Sequence, residues 1–491
     1  MTLPIPERQP ADPGTPFSRK VALIAAILLG GLLITMQNRE AVVSLFRGTT
    51  PAAQAQGGEA QAAPPSIQPP TPAEPFTLSA RFAVQTQDMP EWFTGAPQDI
   101  MPVLDAWAMN DADRVRAAIV AGELVGPEEA VERLEKIDGL LKDNDPLKQD
   151  ADDLIRIYRG DATSAALDDA TRERLREHHG FFGEVALSYG LPDSDPARAP
   201  LISGGAKLVG LLLGIGIGVA LLFLTGCVLF IVGFVMVMTG KIRPRFPRPE
   251  PGGSVFLETY ALFAGAFLVL SLGLDLVGYV LPEAAWLLHV QIALQWLLLA
   301  VPLWPLMRGM SLERLAGTIG WHKGEGVLKE MGCGVLGYLA GLPLLAGGMA
   351  LSMMLVFIVQ GVRRMAGLGE PPPPDSAIFD LLGTHNTLVL VLFFLLATVW
   401  APVVEESIFR GALYRHLRTR FGVPVAAVSV AFLFGLSHNY GPILVFPVVM
   451  LGLMFCIMRE WRGSLIASMT AHAMHNATVS VMAFFVLRMI S

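Results

Sequence analysis

The stretch TLVLVLFFLLATVWAPVVEESIFRGALY, residues 387–414, decides how this chain is read. It is long enough to cross a bilayer as a helix, for which roughly 20 apolar residues suffice. Glu405, Glu406 and Arg410 are nevertheless set into it. A charged side chain in hydrocarbon costs at least ~2.5 kcal/mol by the mildest scale, so such groups need a reason: a proton or ion path, a ligand site, or catalysis. Two later apolar stretches share the peculiarity. His438 lies at the end of one, and His472 and Asn476 lie within the other.

The rest of the chain agrees. Hydrophobic residues make up 53% and charged residues 16%, with a mean hydropathy of +0.51. That balance describes a polytopic membrane protein and excludes an ordinary soluble enzyme. Spans are expected near 21–36, 208–238, 255–281, 284–306, 333–359, 387–414, 423–437, 443–458 and 464–487. The expected fold class is all-α: a polytopic helical membrane protein of about nine transmembrane helices with a small exported helical domain. Cys227, Cys333 and Cys456 all sit in apolar segments and read as buried small hydrophobes, without a disulfide framework.

Five segments are expected. Residues 1–46 form a polar tail, taken as flexible over 1–18, and a first membrane anchor over 21–36 that no small-residue cleavage site directly follows. Residues 47–75 are a Pro/Ala/Gln-rich linker. Residues 76–200 form an acidic all-helical extracytoplasmic domain, in which Val115, Ile119, Leu134, Ile137 and Leu141 recur near the helical period. Its His178-His179 pair lacks the further ligands of a metal site, and the domain reads as a module that contacts a protein partner. Residues 201–385 form an N-terminal membrane bundle, and 386–491 carry the polar set. Nothing calls for nucleic acid as a partner.

Loop charge orients the spans. Arg19 and Lys20 place the N-terminus in the cytoplasm. The same alternation puts Arg243, Arg245 and Arg248, then Arg308 and Arg314, then Arg415 and Arg418, then Arg459 and Arg462 on that side. Arg363 and Arg364 fall on the other side, against the rule. The expected location is a bacterial inner membrane, crossed several times.

With those arginines as depth markers, Glu405 and His472 lie about 15 Å into the membrane and His438 about 20 Å. Three helices thus carry polar groups to a common depth. Glu406 and Arg410 are spaced i,i+4 and can pair on one face, leaving Glu405 turned about 100° away. His472 and Asn476 share a stripe, Phe434 packs beside His438, and His475 faces elsewhere as a core histidine. Peptide hydrolysis needs a base for water and donors for the tetrahedral oxyanion. Glu405 with His438 suits the first task; His472 with Asn476 suits the second.

These residues resemble a known family. Glu405-Glu406-Ser407-Ile408-Phe409-Arg410 is similar to the E-E-x-x-x-R motif of the CAAX-protease and bacteriocin-processing (CPBP) family of intramembrane proteases, which includes the type II CAAX prenyl endopeptidases. Phe434 to His438 is similar to its F-x-x-x-H, and His472 to Asn476 to its H-x-x-x-N, in order and on successive spans. The resemblance covers residues from about 387 onward and says nothing of the exported domain. It implies Glu405 as general base with His438 orienting or activating the water. It also implies His472 and Asn476 as oxyanion donors, with Glu406, Arg410 and Phe434 supporting. The implied substrate is a membrane-embedded or lipidated protein or peptide. No cofactor is required by this reading. Zinc held by Glu405, His438 and His472 is the alternative, although the H-E-x-x-H pair is lacking. Two rival functions use the same residues: a non-proteolytic scaffold or bacteriocin-immunity-type protein, and a proton-coupled transporter.

Overall fold

In the computed structural model, which describes residues 11–46, 74–87, 89, 97–108, 110–142, 145–161, 166–281, 286–367 and 387–490, each of the nine apolar stretches is helical over most of its described residues. The fold is all-α, with no strand among the described residues. Among the described residues six helices are long and apolar enough to cross a membrane: Pro16–Arg39, Gly205–Met238, Val255–Val280, His289–Met307, Val327–Met365 and Thr387–Arg418, with Val423–Leu436 a shorter apolar helix. Two compact units result, one from 58–219 with 486–491 and the other from 1–57 with 220–485.

After α1 (Pro16–Phe46), the helical unit is built from α2 (Glu74–Gln85), α3 (Pro97–Trp107), α4 (Asp111–Leu124), α5 (Pro127–Asp138), α6 (Pro146–Arg159), α7 (Asp169–His179) and α8 (Phe181–Leu187). The sequence punctuates these helices in the usual way. Asn110, Asp145 and Asp168 cap α4, α6 and α7 by accepting from backbone N–H groups in the first turn. Prolines open α5 and α6, where no N–H is needed. Phe76, Leu104, Ile119, Leu154 and Phe182 meet in a single core.

The His178-His179 pair, without an evident role in the sequence, closes on a buried carboxylate. Asp150 stands 2.6 Å from His178 Nδ1, 3.2 Å from His179 Nε2 and 2.8 Å from Arg174 Nε. Burial pushes the Asp150 carboxyl up, but the two imidazoles and Arg174 outweigh it and hold it below the usual range. Burial pushes His179 down, against the attraction of Asp150. Both shifts have the same consequence. The unfolded chain binds a proton at His179 near 6.5 that the folded unit resists. Stability therefore falls as pH drops below that value, and falls again once Asp150 must be protonated, below about 3.8. Hydrogen exchange in α6 and α7, corrected for its intrinsic pH dependence, is expected to speed up between about pH 7 and pH 5. His179→Gln is expected to flatten that response; equal protection at both pH values would refute it.

The remaining helices are α9 (Gly205–Met238), α10 (Val255–Val280), α11 (Leu287–Gln295), α12 (Leu312–Ile319), α13 (Val327–Met365), α14 (Thr387–Arg418), α15 (Val423–Leu436), α16 (Phe446–Arg462) and α17 (Ile466–Ile490). The loop ends grouped by charge do come together. Asp12 pairs with Arg415 at 2.9 Å, Arg314 donates to the Ala11 carbonyl, and the Arg245 backbone N–H donates to the Glu460 carbonyl. Arg462 reaches Glu330 and Glu325, and the cations Arg462, Arg245 and Lys329 hold the Glu325 carboxyl down at about 2. The tail expected to be flexible is corrected here over 11–18. Asp12 is buried against Arg415, the Pro13 carbonyl accepts from Ser254, and the Ser18 hydroxyl meets that of Ser254 at 2.7 Å. A buried carboxylate opposite a buried guanidinium orders a segment whose composition alone suggests none.

Candidate active site

The motif helix α14 is not a simple α-helix. Leu396–Trp400 and Glu406–Leu413 are π-helical, a form that recurs at functional sites. Pro402 explains the first stretch: it has no N–H to donate back along the helix. The Ala397 carbonyl is bonded instead by the Asn476 amide at 2.8 Å. Periodicity at 3.6 residues per turn gave no sign of this widening.

Three helices converge behind it. Glu406 and Arg410 are fully buried and pair as the i,i+4 spacing predicts, Arg410 Nη1 donating to Glu406 Oε1 at 2.9 Å. Arg410 Nη2 donates to the Gly452 carbonyl of α16 at 3.1 Å. The guanidinium lies 4.2 Å from the centroid of the Phe434 ring and 5.0 Å from that of Phe455. Desolvated cation–π contacts of this kind are worth about 2 kcal/mol. From α17, His472 Nδ1 donates to the same Glu406 oxygen at 3.2 Å, while its ring stacks on Phe455.

Glu405 faces the other way. Its Oε2 is buried without a hydrogen-bond partner among the described residues and stands 3.8 Å from His472 Nε2. That separation is too long for a direct hydrogen bond.

His438 lies two residues beyond the end of α15. Its Nδ1 is 2.7 Å from the Phe434 carbonyl. A carbonyl only accepts, so Nδ1 carries the proton and Nε2 is left as an acceptor. The ring packs edge-on to Phe434 at 4.8 Å and stacks on Tyr440 at 6.1 Å. Phe434 is thus the shared wall between His438 and His472, which it meets at 6.0 Å. His475 faces away towards Tyr338, whose hydroxyl is 3.4 Å from its Nδ1.

Glu405, Glu406, Arg410, Phe434 and His472 therefore form one contact set, with His438 joined through Phe434 and Asn476 one turn along α17. The imidazole beside Glu405 is that of His472; no hydrogen bond among the described residues joins His438 or Asn476 to Glu405. Sequence reasoning missed Tyr440, Phe455 and the Gly452 and Ala397 carbonyls. Tyr440 stood two residues from a motif histidine and was findable; the carbonyls were not, because any residue supplies one. A groove of about 1030 Å³ between α1 and α10 is lined by Leu29, Leu32, Gly265 and Val269 among others and includes no motif residue, so the chemistry is not placed there.

The orphaned Glu405 oxygen beside an imidazole tests the zinc alternative. Glu405 and His472 make two ligands, but the described residues contain no group of three His, Cys, Asp or Glu placed to hold a metal. Glu405, His438 and His472 are not brought together as such a group.

A polytopic helical protein whose buried centre pairs acids with imidazoles defines a class in which water can be activated inside a membrane. Residues 387–478 match the family model described as Rce1-like, type II CAAX prenyl endopeptidase Rce1-like. The resemblance carried by the three motifs is thereby borne out over the segment that holds them. No curated protein and no solved structure matches the chain.

Proposed function

We propose that the protein is an intramembrane endopeptidase that hydrolyses a peptide bond in a membrane-associated or lipid-modified protein or peptide. The observation that carries this reading is the unbonded Glu405 oxygen facing His472 Nε2 at 3.8 Å, inside helices that otherwise belong in hydrocarbon. Glu405 takes a proton from water as its oxygen attacks the scissile carbonyl, and His438 orients that water through Nε2. The oxyanion is held by His472, when its Nε2 is protonated, and by Asn476. An amide nitrogen has two hydrogens, so Asn476 keeps one on Ala397 and offers the other. Glu405 then returns the proton to the leaving amine as the C–N bond breaks.

Glu406 and Arg410 keep His472 in place without sharing in the proton transfer. The N-terminus is assigned to the cytoplasm on loop charge, and residues 76–200 to recruitment of substrate or a partner on the opposite face.

The test is cleavage of membrane peptides by the purified chain in liposomes, with prenylated C-terminal peptides as the first probe. Turnover is expected and is expected to survive a chelator, while a chain lacking 77–195 should turn over more slowly. Loss of turnover in chelator would make the enzyme metal-dependent. An absence of cleavage together with proton flux would favour the transporter.

A further inference from the structure

The Phe434–His438 segment runs across the end of α15, and a helix end leaves its last carbonyls without intrahelical partners. Each carbonyl of that last turn can be followed. Leu433 accepts from the Ser437 N–H and hydroxyl, Phe434 from the Ser437 N–H and the His438 ring, and Gly435 from the His438 N–H. Leu436, two residues before His438, has its carbonyl bonded from outside the motif segment. Asn38 Nδ2, on α1, donates to it at 2.8 Å and to the Ile34 carbonyl of its own helix at 2.8 Å. Asn38 is buried at 5% exposure. One turn on, α1 touches the same loop again: a Cβ on Gly441 would lie 2.5 Å from the Ala41 Cβ, and Gly441 holds a φ of +71°. Only glycine tolerates both the contact and that backbone conformation.

We infer that α1 is part of the catalytic centre and that Asn38 is a positioning residue for His438. The inference rests on the proposed protease reading, and it reaches beyond the matched stretch, since α1 lies some 350 residues before it. In a low-dielectric interior a carbonyl left without a donor is costly, so the turn that carries His438 keeps its shape only while α1 supplies that donor. A 438 ring displaced from Phe434 and Tyr440 no longer aims Nε2 at the water. Since Asn38 does not touch substrate, its loss acts on kcat and leaves KM alone.

Two readouts separate this inference from the reading it rests on. The first is hydrogen exchange of the segment 437–444 in the full chain. Asn38→Leu, of similar volume and without a donor, is expected to raise exchange there about tenfold and to leave α16 unchanged. The second is cleavage. Asn38→Leu and Asn38→Asp should lower kcat about tenfold at unchanged KM, Asn38→Gln should recover part of it, and Thr35→Val on the exposed side of α1 should behave as wild type. Unchanged exchange in 437–444 overturns the contact whether or not wild type cleaves peptide. Faster exchange with unaltered kcat, or equal losses in Asn38→Gln and Thr35→Val, overturns the positioning role. A wild type that cleaves nothing defeats the protease reading, and the exchange result still decides whether α1 holds the His438 turn.

Discussion

Glu405→Gln is expected to lower kcat by about 10²- to 10⁴-fold, the usual contribution of a positioned general base. Glutamine fills the same space and accepts a hydrogen bond, but it cannot take a proton from water. Folding should not suffer. Oε2 of Glu405 has no hydrogen-bond partner among the described residues, so replacing the carboxylate removes a buried charge without breaking a bond. The variant should therefore melt at or above the wild-type temperature in the same detergent or nanodisc. A stable variant that still turns over at wild-type rate would remove Glu405 from the chemistry. A variant that is inactive and unfolded would show that Glu405 serves the fold instead.

Arg410→Ala should show the opposite pattern. Glu406 and Arg410 are both fully buried, and Arg410 also ties α14 to the Gly452 carbonyl and to two aromatic rings. Breaking a buried pair from one side typically costs about 3–5 kcal/mol, because the remaining charge is stranded. His472 loses its orientation as well, since the oxygen it bonds is the one Arg410 neutralises. Activity should vanish along with stability. The double variant with Glu406→Gln should be destabilised less than Arg410→Ala alone, because no charge is then left unpaired. Thermal unfolding of the three proteins decides the matter: a normal melting temperature for Arg410→Ala would mean the pair does not hold the site.

The contrast between neighbouring glutamates is the main physical feature of the centre. Glu406 is bonded twice through Oε1, to Arg410 and His472, while its Oε2 is buried without a hydrogen-bond partner among the described residues. Glu405, one residue earlier, keeps a buried oxygen unbonded and so stores a cost that the fold accepts elsewhere.

Much of this was legible in the residues. The apolar runs specify helices and membrane, since a spanning backbone must satisfy itself internally and only a helix does so within one segment. The i,i+4 spacing of Glu406 and Arg410 specifies their pairing, because it is a local matter of helix geometry. Polar residues recurring at one depth specify a shared centre, because hydrocarbon tolerates them only together. None of these inferences needs to know which helix lies beside which.

Packing alone decided the rest. The imidazole next to Glu405 belongs to His472, 67 positions away, while His438 turns its Nδ1 to its own helix; composition cannot choose between two histidines at similar depth. The π-helical widening around Pro402 depends on Asn476 arriving to take the Ala397 carbonyl. The ordering of 11–18 depends on Asp12 meeting Arg415, 403 positions on. Asn38 gains its meaning only because the end of α15 lies against it. Local chemistry is written along the chain and can be read there, whereas a hydrogen bond between distant segments is settled by how the helices pack.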